Sequence, residues 1–216
     1  MNRNLILVSA VAAATLLTSA ANASGTLDFN NPDYNGALSS QNDTNGGGFG
    51  NFATTYTSFF LSGTSTVDEV AWIGSYFNGS PATITGFTLN FYTNNAGTVG
   101  SLASSVFVSG NAGETFLGAD NVGDPTFLYD TLITPTTVGA GTGWLSIVPD
   151  LGFPPQWGWE TGVNPGVSYQ DFFGTRSSNP TTESYALFGN AVPEPMSMAA
   201  LGLGAIALIR KRKSAK

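Results

Sequence analysis

Apolar and polar residues alternate with a period of two along much of this 216-residue chain. The clearest case is residues 83–93, in which Phe87, Leu89 and Phe91 alternate with polar positions. Because successive side chains of a strand point to opposite faces, this pattern predicts a β-strand with one buried face. The sequence Asn-Asn-Ala-Gly at residues 94–97 predicts a turn, and residues 102–108 are the expected hairpin partner.

Short segments of the same kind recur along the chain, separated by glycine, proline and asparagine turns. None has the 3.6-residue period of an amphipathic helix. The spacing is typical of an all-β protein, and we predict a single antiparallel β-sandwich or jelly roll of about eight to ten strands. The predicted strands are residues 51–62, 67–77, 83–93, 102–108, 125–133, 143–148, 156–160, 167–173 and 183–188.

Residues 25–50 are rich in glycine and asparagine and include a run of three consecutive glycines. Glycine loses more backbone entropy on ordering than any other residue. We therefore predict that residues 24–50 are mostly loop.

The first 23 residues have the three parts of a secretory signal peptide. Arg3 supplies a positive start, an apolar stretch follows, and Ala21 and Ala23 form a small-x-small cleavage site for signal peptidase. Residues 24–191, called the body below, are enough for one domain with a proper core.

The last 25 residues also fall into three parts. Val192, Pro193, Glu194 and Pro195 form a segment that the two prolines keep extended. Residues 196–209 are almost entirely apolar, and as a helix they would span about 21 Å, against roughly 30 Å for the hydrocarbon core of a bilayer. The basic residues that follow hold that end on the cytoplasmic side, so the body faces outward; they are Arg210, Lys211, Arg212, Lys213 and Lys216.

This order of extended motif, apolar helix and basic cluster resembles the PEP-CTERM sorting signal of Gram-negative bacteria. The resemblance implies that an exosortase recognises residues 192–195, that residues 196–209 are a transmembrane sorting helix, and that residues 210–216 stop transfer. It also implies export through the inner membrane to the cell surface or the extracellular medium. Residues 67–190 loosely resemble the β-sandwich passengers common among PEP-CTERM proteins, which implies a fold and no catalytic residues.

The charge of the body limits its partners. It holds thirteen carboxylates and one basic residue, Arg176, so its formal charge is −12. Binding to nucleic acid needs Lys and Arg to displace phosphate counterions, and anionic lipid headgroups need them as well. We therefore exclude nucleic acid as a partner and expect the body to avoid anionic membranes.

The chain contains neither cysteine nor histidine. This excludes disulfides, Ser-His-Asp and Cys-His nucleophiles, zinc sites built on imidazole or thiolate, and c-type haem attachment. Carboxylates, hydroxyls and oxygen ligands remain available for chemistry.

Two sets of carboxylates are candidates. Asp120 and Asp124 offer oxygen ligands of the kind that Ca²⁺ prefers, although a polar turn explains their spacing equally well. Glu114, Glu160 and Glu183 are candidates for the acid and base pair of a glycoside hydrolase, which uses two carboxyl groups about 5 to 9.5 Å apart. Carboxylates on the solvent face of strands are the ordinary alternative, and we expect no cofactor other than calcium.

Trp157 and Trp159 lie two residues apart and therefore share one strand face. Flat aromatic rings on an exposed face stack on sugars, and Tyr169 and Trp144 are candidates to lie close by. The alternative, which we favour, is that both tryptophans fill the core of the sandwich.

The sequence therefore favours an exported, exosortase-sorted surface protein with a non-catalytic structural or adhesive role linked to exopolysaccharide and biofilm. A lectin-like carbohydrate-binding module is the second hypothesis. An extracellular glycoside hydrolase is the third.

Overall fold

The computed structural model describes residues 25–192, which form β-strands and connecting loops. No helix in this part of the chain is long and apolar enough to cross a membrane. The strands are β1 (Gly25–Asn30), β2 (Pro32–Ser39), β3 (Gln41–Asp43), β4 (Gly50–Leu61), β5 (Ser65–Phe77), β6 (Gly86–Asn95), β7 (Thr98–Ser109), β8 (Thr115–Ala119), β9 (Pro125–Val138), β10 (Gly141–Leu151), β11 (Gln156–Gly162), β12 (Ser168–Phe172), β13 (Thr175–Asn179), β14 (Thr182–Glu183) and β15 (Tyr185–Ala191).

Several sequence predictions fall outside the described residues and stay predictions. These are the signal peptide with its cleavage site at Ala21 and Ala23, the sorting helix over residues 196–209, and the side chains of Pro193, Glu194, Pro195, Arg210, Lys211, Arg212 and Lys213.

The strands form two sheets, and every strand pair described is antiparallel except the short β3–β10 contact. In the first sheet, β5 pairs with β9 along one edge and with β15 and then β11 along the other. β8 extends this sheet beyond β9, β1 extends it beyond β15, and β2 and β14 pair with β11. In the second sheet the order is β13, β12, β4, β10, β6 and β7, with β3 between the ends of β4 and β10.

The core lies between the inner faces of the two sheets. In β6 the predicted inward residues Phe87, Leu89 and Phe91 are all fully buried, while the residues between them face out. In β5, Trp72 and Tyr76 are fully buried in the same core, although the residues between them are buried as well. The predicted all-β class and the predicted core face of β6 are confirmed.

The hairpin between β6 and β7 closes where the sequence predicted it. Asn95 pairs with Thr98, so Ala96 and Gly97 form a two-residue loop. Both have positive φ, 50° and 87°, which matches the right-handed twist of the two strands.

The prediction that residues 24–50 are mostly loop is wrong for residues 25–43. β1 pairs with β15, with Asn30 opposite Tyr185, and β2 pairs with β11. Asparagine and aspartate have low intrinsic strand propensity, but backbone pairing and side-chain bonds outweigh it. The Asn30 amide donates to Thr182 Oγ1 and to the carbonyl oxygen of Glu183, at 2.9 and 2.8 Å. Only residues 44–49 between β3 and β4 form the expected glycine-rich loop.

The structure also contains strands that the sequence did not separate. Residues 115–119 form the short edge strand β8, and the predicted strand over residues 167–173 continues through a turn into β13. Fifteen strands are present in residues 25–192, against about eight to ten expected for a sandwich of this size.

The burial of Trp159 leads to a stability prediction. Its ring is fully buried and its Nε1 donates to the carbonyl oxygen of Ser184 at 2.7 Å. Replacing it by alanine should lower the free energy of unfolding by roughly 3–5 kcal/mol, because the change leaves a large cavity. Leu132→Ala is the control, since this side chain is 75% exposed. Urea unfolding measures both, and an unchanged midpoint for Trp159→Ala would contradict the core position.

Candidate binding surface

The two tryptophans proposed as a glycan platform are not on the surface. Trp157 and Trp159 are both 0% exposed, and Trp157 Nε1 donates to the Tyr129 hydroxyl at 3.0 Å. The platform hypothesis is wrong for these residues, and the core alternative is right. Strand β11 lies in the middle of the first sheet, so its inward face meets the other sheet and no solvent.

The three glutamates proposed as a hydrolytic pair serve other purposes. Glu114 accepts hydrogen bonds from the hydroxyls of Tyr76 and Tyr129, at 2.7 and 2.8 Å. Glu160 and Glu183 are fully buried, and burial raises the pKa of the Glu183 carboxyl well above its usual range. Because Glu160 and Glu183 lie inside the sandwich and do not face a cleft, Glu114 lacks the opposed second carboxyl group from this set that glycoside hydrolysis requires.

Asp120 closes the turn before β9. Its Oδ1 accepts the backbone N–H groups of Val122, Gly123 and Asp124, at 3.0, 2.8 and 2.8 Å. Burial and then the charge of Asp120 raise the pKa of Asp124. Within residues 25–192 no three acidic side chains lie close enough together to hold a metal ion. The calcium site at Asp120 and Asp124 therefore stays a prediction.

Asp120 and Glu160 form a buried acidic pair. Asp120 Oδ2 and Glu160 Oε2 are buried, the two carboxyl groups interact with each other, and Glu160 Oε1 accepts a hydrogen bond from the Ser75 hydroxyl. Burial, together with the charge of Asp120, raises the pKa of Glu160 from 4.5 to about 7. This carboxyl is therefore partly protonated near neutral pH.

A groove with a free volume of about 550 Å³ opens on the outer face of the second sheet. β4 forms its floor and the β12–β13 hairpin forms its wall, with Phe173 N–H bonded to the Phe52 carbonyl oxygen at 2.7 Å. Its size lies in the range of small-molecule sites, about 300–1,000 Å³. The residues that line it are Asn51, Phe52, Thr54, Tyr56, Asp171, Gly174 and Arg176.

An ion pair crosses this groove. Arg176 Nε donates to Asp171 Oδ1 at 2.7 Å, and Nη2 donates to Oδ2 at 2.6 Å. The Tyr56 hydroxyl donates to the same Oδ2 at 3.0 Å, and the guanidinium lies 4.9 Å from the centre of the Tyr56 ring. Hydrogen bonds from Arg176 hold the pKa of Asp171 below its usual range, so this carboxylate is ionised at neutral pH.

Aromatic rings continue the outer face beside the groove. Tyr92 contacts Tyr56, with ring centres 5.4 Å apart, and Trp144 contacts Tyr169 at 5.2 Å. Trp144 and Tyr169 contact each other, but the prediction that they lie close to Trp157 and Trp159 is wrong. They lie on the opposite sheet from Trp157 and Trp159.

Five phenylalanines gather at one end of the sandwich. We call this cluster the phenylalanine end; its ring centres are 5.0 to 6.0 Å apart, and it consists of Phe49, Phe52, Phe153, Phe172 and Phe173. Phe49 and Phe173 are more than half exposed, at 57% and 56%. Exposed apolar clusters of this kind are typical of interaction sites.

Asp43 positions two of these rings. Its oxygens accept the backbone N–H groups of Phe49 at 2.8 Å, Phe153 at 3.0 Å and Asn45 at 3.0 Å. Burial opposes ionisation of Asp43, but these three bonds leave its pKa below the usual range. The glycine-rich loop is therefore tied to the end of β10.

The phenylalanine end and the last described residue, Val192, lie at opposite ends of the body. β4 begins at the phenylalanine end with Gly50 and runs twelve residues to Leu61, a length of about 36 Å. Beside that far end, Val192 N–H donates to the Thr64 carbonyl oxygen at 2.8 Å. Gly25 pairs with Gly189 at the same end, so both termini of the body leave there.

Sequence reasoning did not find the groove or the phenylalanine end. The residues of these two features come from segments around 43–56, 153 and 171–176, which only the sheet pairing brings together. One signal was present: the body has a single basic residue, and Arg176 lies five positions after Asp171.

Comparison with known proteins identifies the C-terminal segment. The model of the PEP-CTERM protein-sorting motif matches residues 191–213. The fold and this match define an exported protein with an all-β body and a C-terminal sorting signal. The chain carries a PEP-CTERM sorting motif, which implies processing by an exosortase, and the sequence prediction of this motif is confirmed.

The other comparisons add little. The comparison with curated proteins gave no match. A solved structure of the cysteine protease and lectin-like domains of Cwp84, a surface layer associated protein of Clostridium difficile, is similar with 12% identity and a TM-score of 0.43. The likeness covers 65% of this chain and 32% of that one, and it is too distant to carry an argument about function.

The raised pKa of the buried Glu160 carboxyl leads to a prediction about how the stability of the folded protein depends on pH. Because its pKa is raised in the folded protein, the native state binds the proton more tightly than the unfolded chain does. Its contribution to stability is therefore fully present below about pH 4.5 and is lost as the pH rises through about 7. Glu160→Gln should be more stable than the natural protein at pH 8 by a few degrees in Tm, and the difference should shrink at pH 5. Thermal unfolding at both pH values measures this, and a pH-independent difference would contradict it.

The sorting motif predicts a processing step. The exported protein should lose residues 196–216, because exosortase cleavage follows the extended motif. Intact-mass analysis of protein recovered from the cell surface measures this. Recovery of a mass that still includes the basic cluster from Arg210 to Lys213 would instead indicate permanent anchoring. Replacing Pro193, Glu194 and Pro195 by alanine should leave the precursor in the membrane.

Proposed function

We propose that the body is a non-catalytic adhesive protein of the cell surface, which contributes to cohesion of the extracellular polysaccharide and biofilm with its phenylalanine end turned away from the membrane. The export and sorting of the chain follow from its PEP-CTERM motif. The role of the body in the polysaccharide is our inference.

The observation that carries the proposal is the separation of the two ends. The sorting motif begins at Ala191, beside Thr64, and the exposed rings of Phe49, Phe172 and Phe173 lie at the other end of β4. As long as residues 196–209 hold the chain at the membrane, the body projects its apolar cluster about 36 Å outward, the length of β4.

The chemistry of the body supports adhesion over catalysis. The chain has no histidine or cysteine, and the three candidate glutamates are tied to core hydroxyls or are fully buried. A groove beside exposed aromatic rings is the arrangement that proteins use to bind extended ligands. This groove also favours a lectin-like activity over a purely structural role, and no observation favours the hydrolase.

A double substitution at the exposed end tests the proposal. In cells that lack the gene, the full chain carrying Phe172→Ser and Phe173→Ser should restore less than about half of the biofilm mass restored by the natural chain. The reason is that the change removes much of the exposed apolar surface that carries the adhesion. The measurement is retained biomass after washing, together with an immunoblot of the surface protein.

The matched control carries Phe60→Ser and Phe107→Ser, two phenylalanines that are each 59% exposed and lie outside the cluster. This control should restore biomass to the level of the natural chain. If a strain without the gene forms a normal biofilm, the proposed function is wrong. If both double variants behave alike, the phenylalanine end has no special role.

A further inference from the structure

The groove contains the only basic residue of the body. Arg176 uses two of its five N–H groups in the bonds to Asp171, and its side chain is still 44% exposed. The N–H groups on the exposed side of the guanidinium can donate to a ligand in the groove. Exposed ion pairs contribute little to stability, about 0–1 kcal/mol. Stabilisation of the hairpin therefore does not by itself explain why the single basic residue of the body lies in this groove.

The charges favour an uncharged ligand. Asp171 neutralises Arg176 locally, and the twelve other carboxylates of the body repel an anionic polymer. A uronic acid chain would meet this repulsion without an unpaired cation to offset it. A neutral ligand that offers hydroxyl oxygens avoids the repulsion and can still accept hydrogen bonds from Arg176.

The other lining groups match the two kinds of surface on a sugar ring. Asn51 accepts a hydrogen bond from the Thr54 hydroxyl at 3.1 Å, which leaves its amide N–H groups as donors for hydroxyl oxygens. Phe52 lines the groove, and Phe172 and Phe173 stand beside it with ring centres 6.0 and 5.3 Å from Phe52. Phe52 is only 4% exposed, so the rings that offer apolar contact to the C–H face of a pyranose are those of Phe172 and Phe173, at 40% and 56% exposed.

We propose that this groove binds a neutral hexose polymer, with Arg176 and Asn51 donating to its hydroxyl oxygens and the phenylalanine rings covering its C–H faces. The inference rests on the proposed function, because it names the ligand class of the adhesive protein.

Affinity electrophoresis of the full exported protein tests this inference. The neutral probes in the gel are dextran, hydroxyethyl cellulose and the neutral fraction of the cells' own extracellular polysaccharide, and alginate is the anionic probe. We expect at least one neutral probe to retard the natural protein and alginate to have no effect. Arg176→Gln and Asn51→Ala should each weaken the apparent affinity by about tenfold, the effect of losing one hydrogen bond that involves a charged group or closes a buried site.

Two further comparisons separate binding from folding. Ser177→Ala, on the same hairpin beside Arg176, should leave retardation unchanged. Asn51 takes no part in the ion pair, so Asn51→Ala should show weakened retardation while its melting temperature stays that of the natural protein. Lack of retardation of the natural protein by every neutral probe would overturn the inference, and so would full retardation of Asn51→Ala and Arg176→Gln.

The same variants distinguish this inference from the proposed function. If Arg176→Gln restores a normal biofilm in cells that lack the gene, while the phenylalanine double variant does not, the adhesive function stands and the groove is not its ligand site. If the gene is dispensable for the biofilm but the groove still binds a neutral glycan, the inference stands and the proposed function falls.

Discussion

The buried aromatic rings and the hydrogen bonds at their polar tips are the constraint on which the rest of this structure depends. Trp157 Nε1 donates to the Tyr129 hydroxyl, which donates to Glu114, and Tyr76 donates to the same carboxylate. A buried N–H or O–H without a partner would cost about 1–3 kcal/mol. The chain of bonds therefore lets large rings fill the space between the sheets, and it joins β5, β9, β11 and the segment before β8. Without cysteine, no disulfide shares this task.

The same constraint explains why the most conspicuous side chains of the sequence are not the binding surface. Trp157, Trp159 and Glu114 resemble parts of a sugar site, but a sandwich of this size needs its largest apolar groups inside. The outward positions of the second sheet do not have to fill the core with large apolar groups, since one face of an antiparallel sheet can meet water. Tyr56 lies on this outer face beneath the Arg176–Asp171 ion pair, and a groove forms there beside the exposed rings of Phe172 and Phe173.

The direction of the body links this surface to the sorting signal. β4 and β5 run in opposite directions from the short connection at residues 62–64, and β15 returns along β5 to end beside it. One end of the sandwich therefore carries the termini, and the other carries the glycine-rich loop that Asp43 holds in place. The last described residue, Val192, and the exposed phenylalanine rings are therefore separated by about the length of strand β4.

The sequence by itself determined the features that are local. Alternation in residues 83–93 gave the strand and its buried face because side-chain direction in a strand follows from position alone. The sorting motif was readable for a similar reason: a processing enzyme recognises a short linear segment, and residues 191–213 contain all of it. The pairing of Trp157 and Trp159 on one face was also readable, but not which face it was.

Only the tertiary structure decided the rest, because the contacts concerned are far apart in the chain. Residues 25–43 become strands through partners such as Tyr185, more than 150 positions from Asn30, and these outweigh a composition that favours loop. Tyr56 meets Asp171 across 115 positions, so the groove exists only once β12 has paired with β4. Burial likewise turned Glu160 from a surface carboxylate into a group whose pKa is near 7, since its neighbours are Ser75 and Asp120 rather than water.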